Sequence, residues 1–303
     1  MTEAPSLIAE TRSLFALSPM RQGKGAYNAA PMGKSGSVST PALPWPLAPI
    51  LVALGWTGML VCGSAAGRLG LRPALLISEM GLAMPALFAL ALLPGTWGDA
   101  LALRRLSGKI ALVSLAAGGA FWAASLGLFE LQYAVWRPPP GYLEAFQRLH
   151  EMLRPSGPFD ALISVGAIAV APAVFEEILF RGAVLPALLR PLGAVGAVFV
   201  SAALFGLIHL DLTTPGAAFY RVPFAFGVGL GLGILRVRTG ALLPSILAHA
   251  LLNTITFVAE PLAENPSAGL PDPRPLLGFA LLAGGIAAAL LAIKRIDSAQ
   301  ASP

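Results

Sequence analysis

Along the chain, long apolar runs alternate with short polar breaks. A helix needs about 20 residues to cross hydrocarbon. Windows of that length pick out eight runs, near 46–66, 74–93, 110–134, 159–189, 193–210, 219–236, 241–258 and 275–293. Backbone inside a bilayer must satisfy its own hydrogen bonds, so each run is predicted to be a helix. Residues 141–154 follow another pattern. Tyr142, Phe146, Leu149 and Leu153 share one helical face, with Glu144, Arg148 and Glu151 elsewhere. That spacing predicts an amphipathic helix lying at the membrane interface, separated from the third run by Pro138, Pro139 and Pro140. His150 reads as an ordinary surface residue of this helix. Residues 1–44 are rich in Gly, Ser and Pro, carry Arg12, Arg21, Lys24 and Lys34, and lack an apolar core. They are expected to form a mobile polar tail.

The expected fold is all-α, a polytopic membrane bundle of about eight transmembrane helices plus the interfacial helix. The membrane domain is expected over 45–303. It divides into three N-terminal spans within 45–140, the interfacial helix at 141–157, a core at 158–258 and a last span at 275–293.

Composition narrows the function. Hydrophobic residues make up 56% of the chain and charged residues 12%, where soluble domains carry about 25% charge. Mean hydropathy is +0.75. These values exclude a soluble enzyme, a disordered protein and a nucleic-acid-binding domain, and they make membrane lipids the surroundings. The net charge of +5 comes from basic residues that flank apolar runs, so no nucleic-acid partner is expected. Cys62, the single cysteine, lies in an apolar run and offers neither an intrachain disulfide nor a cysteine metal site.

Lys and Arg are more numerous on the side of the termini: the four of the tail, Arg104, Arg105, Lys109, Arg190, Arg236, Arg238, Lys294 and Arg295. The opposite loops hold Arg68, Arg72, Arg137, Arg148, Arg154, Arg221 and Arg274. Basic loops stay in the cytoplasm, so both termini are expected there. In the sixth run, Gly227, Gly229, Gly231 and Gly233 have the small-xxx-small spacing of closely packed helices.

Charge within a span costs roughly 2.5–3.5 kcal/mol per group, so buried charge needs a reason. The second run contains Glu79 and Pro85, and the fourth contains Glu176, Glu177 and Arg181. Glu177 and Arg181 are four residues apart, share a helix face and can pair. Glu176 is turned about 100° from Glu177, which leaves it available for proton transfer. Pro172, one turn earlier, is expected to kink the helix. His209 and His249 fall in the fifth and seventh runs, with Phe205 and Asn253 as their i,i+4 partners. At about 1.5 Å per residue, Glu176, His209, His249 and Asn253 all come out in the middle third of a layer about 30 Å thick.

A carboxylate and an imidazole can deprotonate one water, and a second His with an Asn amide can donate to a developing oxyanion. Together they suffice for amide hydrolysis without a covalent intermediate. The sequence offers no His-Glu-x-x-His, no pair of buried aspartates and no Gly-x-Ser-Gly. Two His and one Glu could instead bind zinc.

Three motifs, Glu176-Glu177-x-x-x-Arg181, Phe205-x-x-x-His209 and His249-x-x-x-Asn253, occur in order within about 155–258. This region resembles the CPBP intramembrane proteases, which include the type II CAAX prenyl-protein endopeptidases and the bacterial Abi proteins. The stretch from Arg238 to His249 is also similar to bacterial members. The resemblance implies a metal-independent glutamic endopeptidase without a cofactor, whose catalytic core is 158–258. It implies that Glu176 and His209 activate water, that His249 and Asn253 form the oxyanion hole, and that Glu177, Arg181 and Phe205 support the site.

The implied substrate is a membrane-associated protein cut near its C-terminus. Eukaryotic members act beside a prenylated cysteine. The Ala-, Leu-, Gly- and Pro-rich composition suggests a GC-rich bacterium and its cytoplasmic membrane, where C-terminal sorting tails, as for the myxosortase-like group, are the expected targets. Two other readings use the same residues: a non-catalytic immunity or scaffold protein that retains the motifs, and a transporter or proton relay. Loss of cleavage, full rescue of a knockout, or loss of flux on substitution of Glu176 separates the three.

Overall fold

The structure is a computed structural model and describes residues 42–139, 141–259 and 272–301. The expected tail falls almost wholly outside them. Among these residues eleven α-helices run in order: α1 Leu47–Ala66, α2 Leu71–Ala91, α3 Trp97–Ala100, α4 Gly108–Val135, α5 Tyr142–Leu153, α6 Pro158–Val165, α7 Ala171–Glu177, α8 Leu185–Leu207, α9 Val222–Thr239, α10 Leu243–Ala259 and α11 Pro275–Ala301. Among the described residues there is no strand. The all-α membrane bundle expected from the hydropathy pattern is what the chain forms.

Among the described residues, six helical stretches are long and apolar enough to cross a membrane, and α10 is apolar but has only 17 residues. The fourth and fifth predicted spans lie within one run, Pro158–Leu207, of 50 residues. No loop divides them. The break is a single residue within α8, Gly193, at φ 66 and ψ 178, a conformation open to glycine because it has no Cβ. Pro191 just before it also weakens the helical ladder.

Two wide π-helical turns, Gly166–Val170 and Ile178–Val184, bracket α7. In each, the amide that closes the turn reaches back five residues: Ala171 N–H to the Gly166 carbonyl, and Leu185 N–H to the Phe180 carbonyl. A proline follows each turn, Pro172 and Pro186. Proline has no N–H to give the ladder, and a widened turn takes up the mismatch. The kink expected near Pro172 takes this form.

Small residues set the helix contacts, because helices in hydrocarbon associate through close packing. On α1, a Cβ added at Gly58 would lie 2.5 Å from the carbonyl oxygen of Gly81 on α2. Gly118 of α4 abuts the carbonyl of Ala248 on α10, and Gly127 and Gly285 bring α4 against α11. The glycines of α9 divide between two neighbours: Gly229 and Gly233 meet Ala202 and Val198 of α8, and Gly227 and Gly231 meet Leu128 and Phe121 of α4. Helix α5 buries Tyr142 and Leu153 and exposes Glu144, Arg148 and Glu151, as an interfacial helix would. His150 stacks on Phe257 of α10 at 6.0 Å between ring centres.

Candidate active site

Helix α7 ends on Glu176 and Glu177, and Arg181 lies in the wide turn that follows. Arg181 Nη1 donates to Glu177 Oε1 at 2.7 Å, and both side chains are completely buried. Nη2 of the same guanidinium donates to the Gly229 carbonyl at 2.9 Å, which ties this turn to α9. Arg236 Nε on α9 donates back to the Arg181 carbonyl at 3.2 Å. The pairing expected from i,i+4 spacing is therefore present and extends to a second helix.

The same Glu177 oxygen receives His249. A carboxylate bound to arginine can only accept, so His249 Nδ1 donates to Glu177 Oε1, at 3.2 Å. This bond turns the other ring nitrogen, Nε2, toward Glu176, 3.8 Å from Oε2. That oxygen is buried and has no hydrogen-bond partner. Oε2 of Glu177 is likewise bare, but the two adjacent acids have different surroundings: Glu177 accepts through Oε1 from a guanidinium and an imidazole, whereas Glu176 faces only the imidazole, at 3.8 Å.

His209 lies past the end of α8, in a turn rather than in the helix where the fifth span was expected to carry it. The ladder tightens here, with His209 N–H bonded to the Gly206 carbonyl at 3.0 Å. Asp211 then draws the chain into a polar loop through the amides of Thr213 and Thr214, a local carboxylate-to-backbone pattern that competes with helix. Nδ1 of His209 donates to the Phe205 carbonyl at 2.8 Å, which leaves Nε2 as the acceptor. The Phe205 ring stands between the two histidines, 4.9 Å from His209 and 5.9 Å from His249, centre to centre. Its face receives the Arg181 guanidinium at 4.7 Å.

Residues from α7, α8, α9 and α10 therefore meet in one place. Glu177 binds both Arg181 and His249, His249 faces Glu176, and His209 joins them through Phe205. Asn253 is half-buried one turn beyond His249 on α10. Among the described residues its amide makes no hydrogen bond to the cluster.

Sequence reasoning passed over one residue. Glu79 of α2 was only an acid inside a span, yet its Oε2 is buried without a hydrogen-bond partner on a helix that packs against α7. The signal for Glu79 was the one that singled out Glu176, an ionisable group within an apolar run.

Residues 158–255 match the family described as type II CAAX prenyl endopeptidase Rce1-like. No curated protein and no solved structure matches the chain. The match gives no assignment to the myxosortase-like group. It spans α6 to α10, from Pro158 to the turn after His249, and over that segment the chain is similar to the CAAX endopeptidases of this family.

Proposed function

We infer that the chain is an intramembrane endopeptidase that hydrolyses a peptide bond near the C-terminus of a membrane-associated or lipidated protein, using water activated by Glu176 and His209. The carrying observation is the division of labour between adjacent acids. Each acid keeps a buried Oε2 without a partner, but Glu177 is held through Oε1 by Arg181 and His249, while Glu176 faces the His249 ring at 3.8 Å without a hydrogen bond. A buried acceptor without a donor is costly, and a water bound there would satisfy it.

In the proposed reaction, Glu176 and the free Nε2 of His209 orient this water. One proton passes to the Glu176 carboxylate as the water oxygen attacks the scissile carbonyl carbon. The oxygen of the tetrahedral adduct gains N–H donors from the Asn253 amide and from Nε2 of His249, a role that requires the doubly protonated ring because Nδ1–H is given to Glu177. Collapse breaks the C–N bond, and the proton held by Glu176 goes to the leaving amine. The products are a new carboxyl terminus and a released C-terminal fragment. No metal and no covalent intermediate takes part. The distribution of Lys and Arg supports an orientation with both termini on the cytoplasmic side of the membrane.

The test uses the full chain in bilayers with C-terminal tail peptides, lipidated and plain. Wild type is expected to cut, Glu176→Ala is not, and a chelator leaves the rate unchanged. Equal cleavage by wild type and Glu176→Ala overturns the reading. Loss on chelation with recovery on zinc replaces it with a metal-dependent one.

A further inference from the structure

His209 stands beyond the last residue of α8, where a helix no longer satisfies its own backbone groups. Its backbone is steered by the chain that follows. Two residues on, the Asp211 N–H donates to the Ala218 carbonyl at 3.1 Å and closes residues 211–218 into a compact loop. Inside it, Asp211 Oδ1 accepts from the amides of Thr213 and Thr214, and the Ala217 N–H donates to the Thr214 carbonyl at 3.0 Å. The Tyr220 N–H continues the pattern, donating to the Ala217 carbonyl at 2.8 Å. Closed in this way the loop moves as one piece, so a displacement at Tyr220 passes through Ala218 and Asp211 to His209.

The far end of this piece is seated on α4 and α5, outside the segment that matches the endopeptidase family. Gln132 of α4 donates through Nε2 to the Tyr220 carbonyl at 2.8 Å, with both groups buried. A buried amide is costly unless paired, and this one is paired to a backbone 88 residues away. The Tyr220 ring is boxed edge-on by three others: Tyr142 at the start of α5 at 4.9 Å, Trp136 at 5.3 Å and Phe129 at 6.4 Å between ring centres. Tyr220, Ala217 and Tyr142 form a small buried cluster apart from the main core. The Tyr220 hydroxyl is buried and has no hydrogen-bond partner, so the seat depends on the ring and on the carbonyl.

We propose that Gln132 and Tyr220 are positioning residues for His209: they clamp the loop after α8 so that the imidazole keeps its bond to the Phe205 carbonyl and presents Nε2 to the site. Neither touches a reacting atom. The proposal deepens the peptidase reading and rests on it.

The full chain in bilayers is compared with Gln132→Met, Tyr220→Ala and Tyr220→Phe, by tail-peptide cleavage and by nitrogen NMR of the three histidines, each signal assigned by replacing one ring at a time. Gln132→Met keeps the side-chain length but has no N–H to give. Ångström-scale misplacement of a catalytic group costs up to about 10²-fold, so kcat is expected to fall about tenfold to a hundredfold in Gln132→Met and Tyr220→Ala, with KM little changed. Tyr220→Phe keeps the ring and the carbonyl and is expected to match wild type. The His209 signal is expected to shift or broaden in the first two variants, while that of His249 stays in place. A wild-type His209 signal in Gln132→Met overturns the proposal. So does equal movement of the His209 and His249 signals, which marks a general loosening, or a loss in Tyr220→Phe as large as in Tyr220→Ala. If wild type cuts no tail peptide, the peptidase reading has failed, and the His209 signal still decides whether the clamp sets the ring. Gln132→Met nearly preserves side-chain size, so the NMR arm survives any misfolding of Tyr220→Ala.

Discussion

Among the described residues are two Glu–Arg pairs of the same chemistry that differ in the exposure of the arginine. Glu130 near the end of α4 takes Arg274 just before α11, through the side chain at 2.9 Å and the backbone amide at 3.1 Å. The Arg274 side chain is 66% exposed, so water competes for it. In the pair of Glu177 and Arg181 both side chains are 0% exposed. An exposed pair contributes about 0–1 kcal/mol. A buried pair recovers its large desolvation cost only through good geometry, and losing one partner leaves a bare charge. The first pair fastens two helix ends. The second fixes directions: it holds His249 by Nδ1 and leaves the neighbouring acid free.

The largest effect should follow from breaking the buried pair on one side. Glu177→Ala strands the Arg181 charge and is expected to cost about 3–5 kcal/mol, read as thermal unfolding in detergent. The double replacement Glu177→Leu with Arg181→Leu should recover most of that stability but not cleavage. Recovery of both would show that the pair only fills space.

Glu176→Gln sharpens the contrast between adjacent acids. Loss of a general base lowers kcat about 10²- to 10⁴-fold, and the melting temperature should stay near wild type because no ion pair is broken. A large fall in stability would mean that Glu176 is structural.

Gly118→Leu tests whether the carrier of His249 needs its close seat. A Cβ there meets the Ala248 backbone, so α10 must move. Cleavage is expected to fall about 10²-fold, as for an ångström-scale misplacement of catalytic groups, with a smaller loss of stability than in Glu177→Ala. Unchanged kinetics would separate α4–α10 packing from the site. The smallest effect is expected at the exposed pair. Arg274→Ala should change stability by less than about 1 kcal/mol and leave cleavage untouched; a larger loss would erase the difference between the two pairs.

Most of the helices were legible because a span is a run of apolar residues that needs no partner to be recognised. The pairing of Glu177 with Arg181 was legible for a similar reason, since i,i+4 spacing is local. Glu79 was not. Its meaning depends on α7, far away in the chain, and a single acid in a span names no partner. The turn that holds His209 was missed because Ile208, His209 and Leu210 continue the apolar pattern, while the loop that ends the helix is set by Asp211 and its bonds to Thr213 and Thr214. Gly193 showed only as a gap between two runs, and nothing in the pattern says whether a gap is a loop or one residue in a reversed conformation.

The wide turn over Ile178–Val184 also has a consequence for register. A π turn holds one residue more than an α-helix would. A chain one residue shorter there could close as ordinary helix, and everything beyond would swing by about 100° about the axis. Gly193 would rotate with it, and so would the whole of α8 with Phe205 and the histidine beyond it. A deletion that removes no catalytic group could thus dismantle the site by turning half of it away, whereas the same deletion in the polar loop after Asp211 would only shorten a tether.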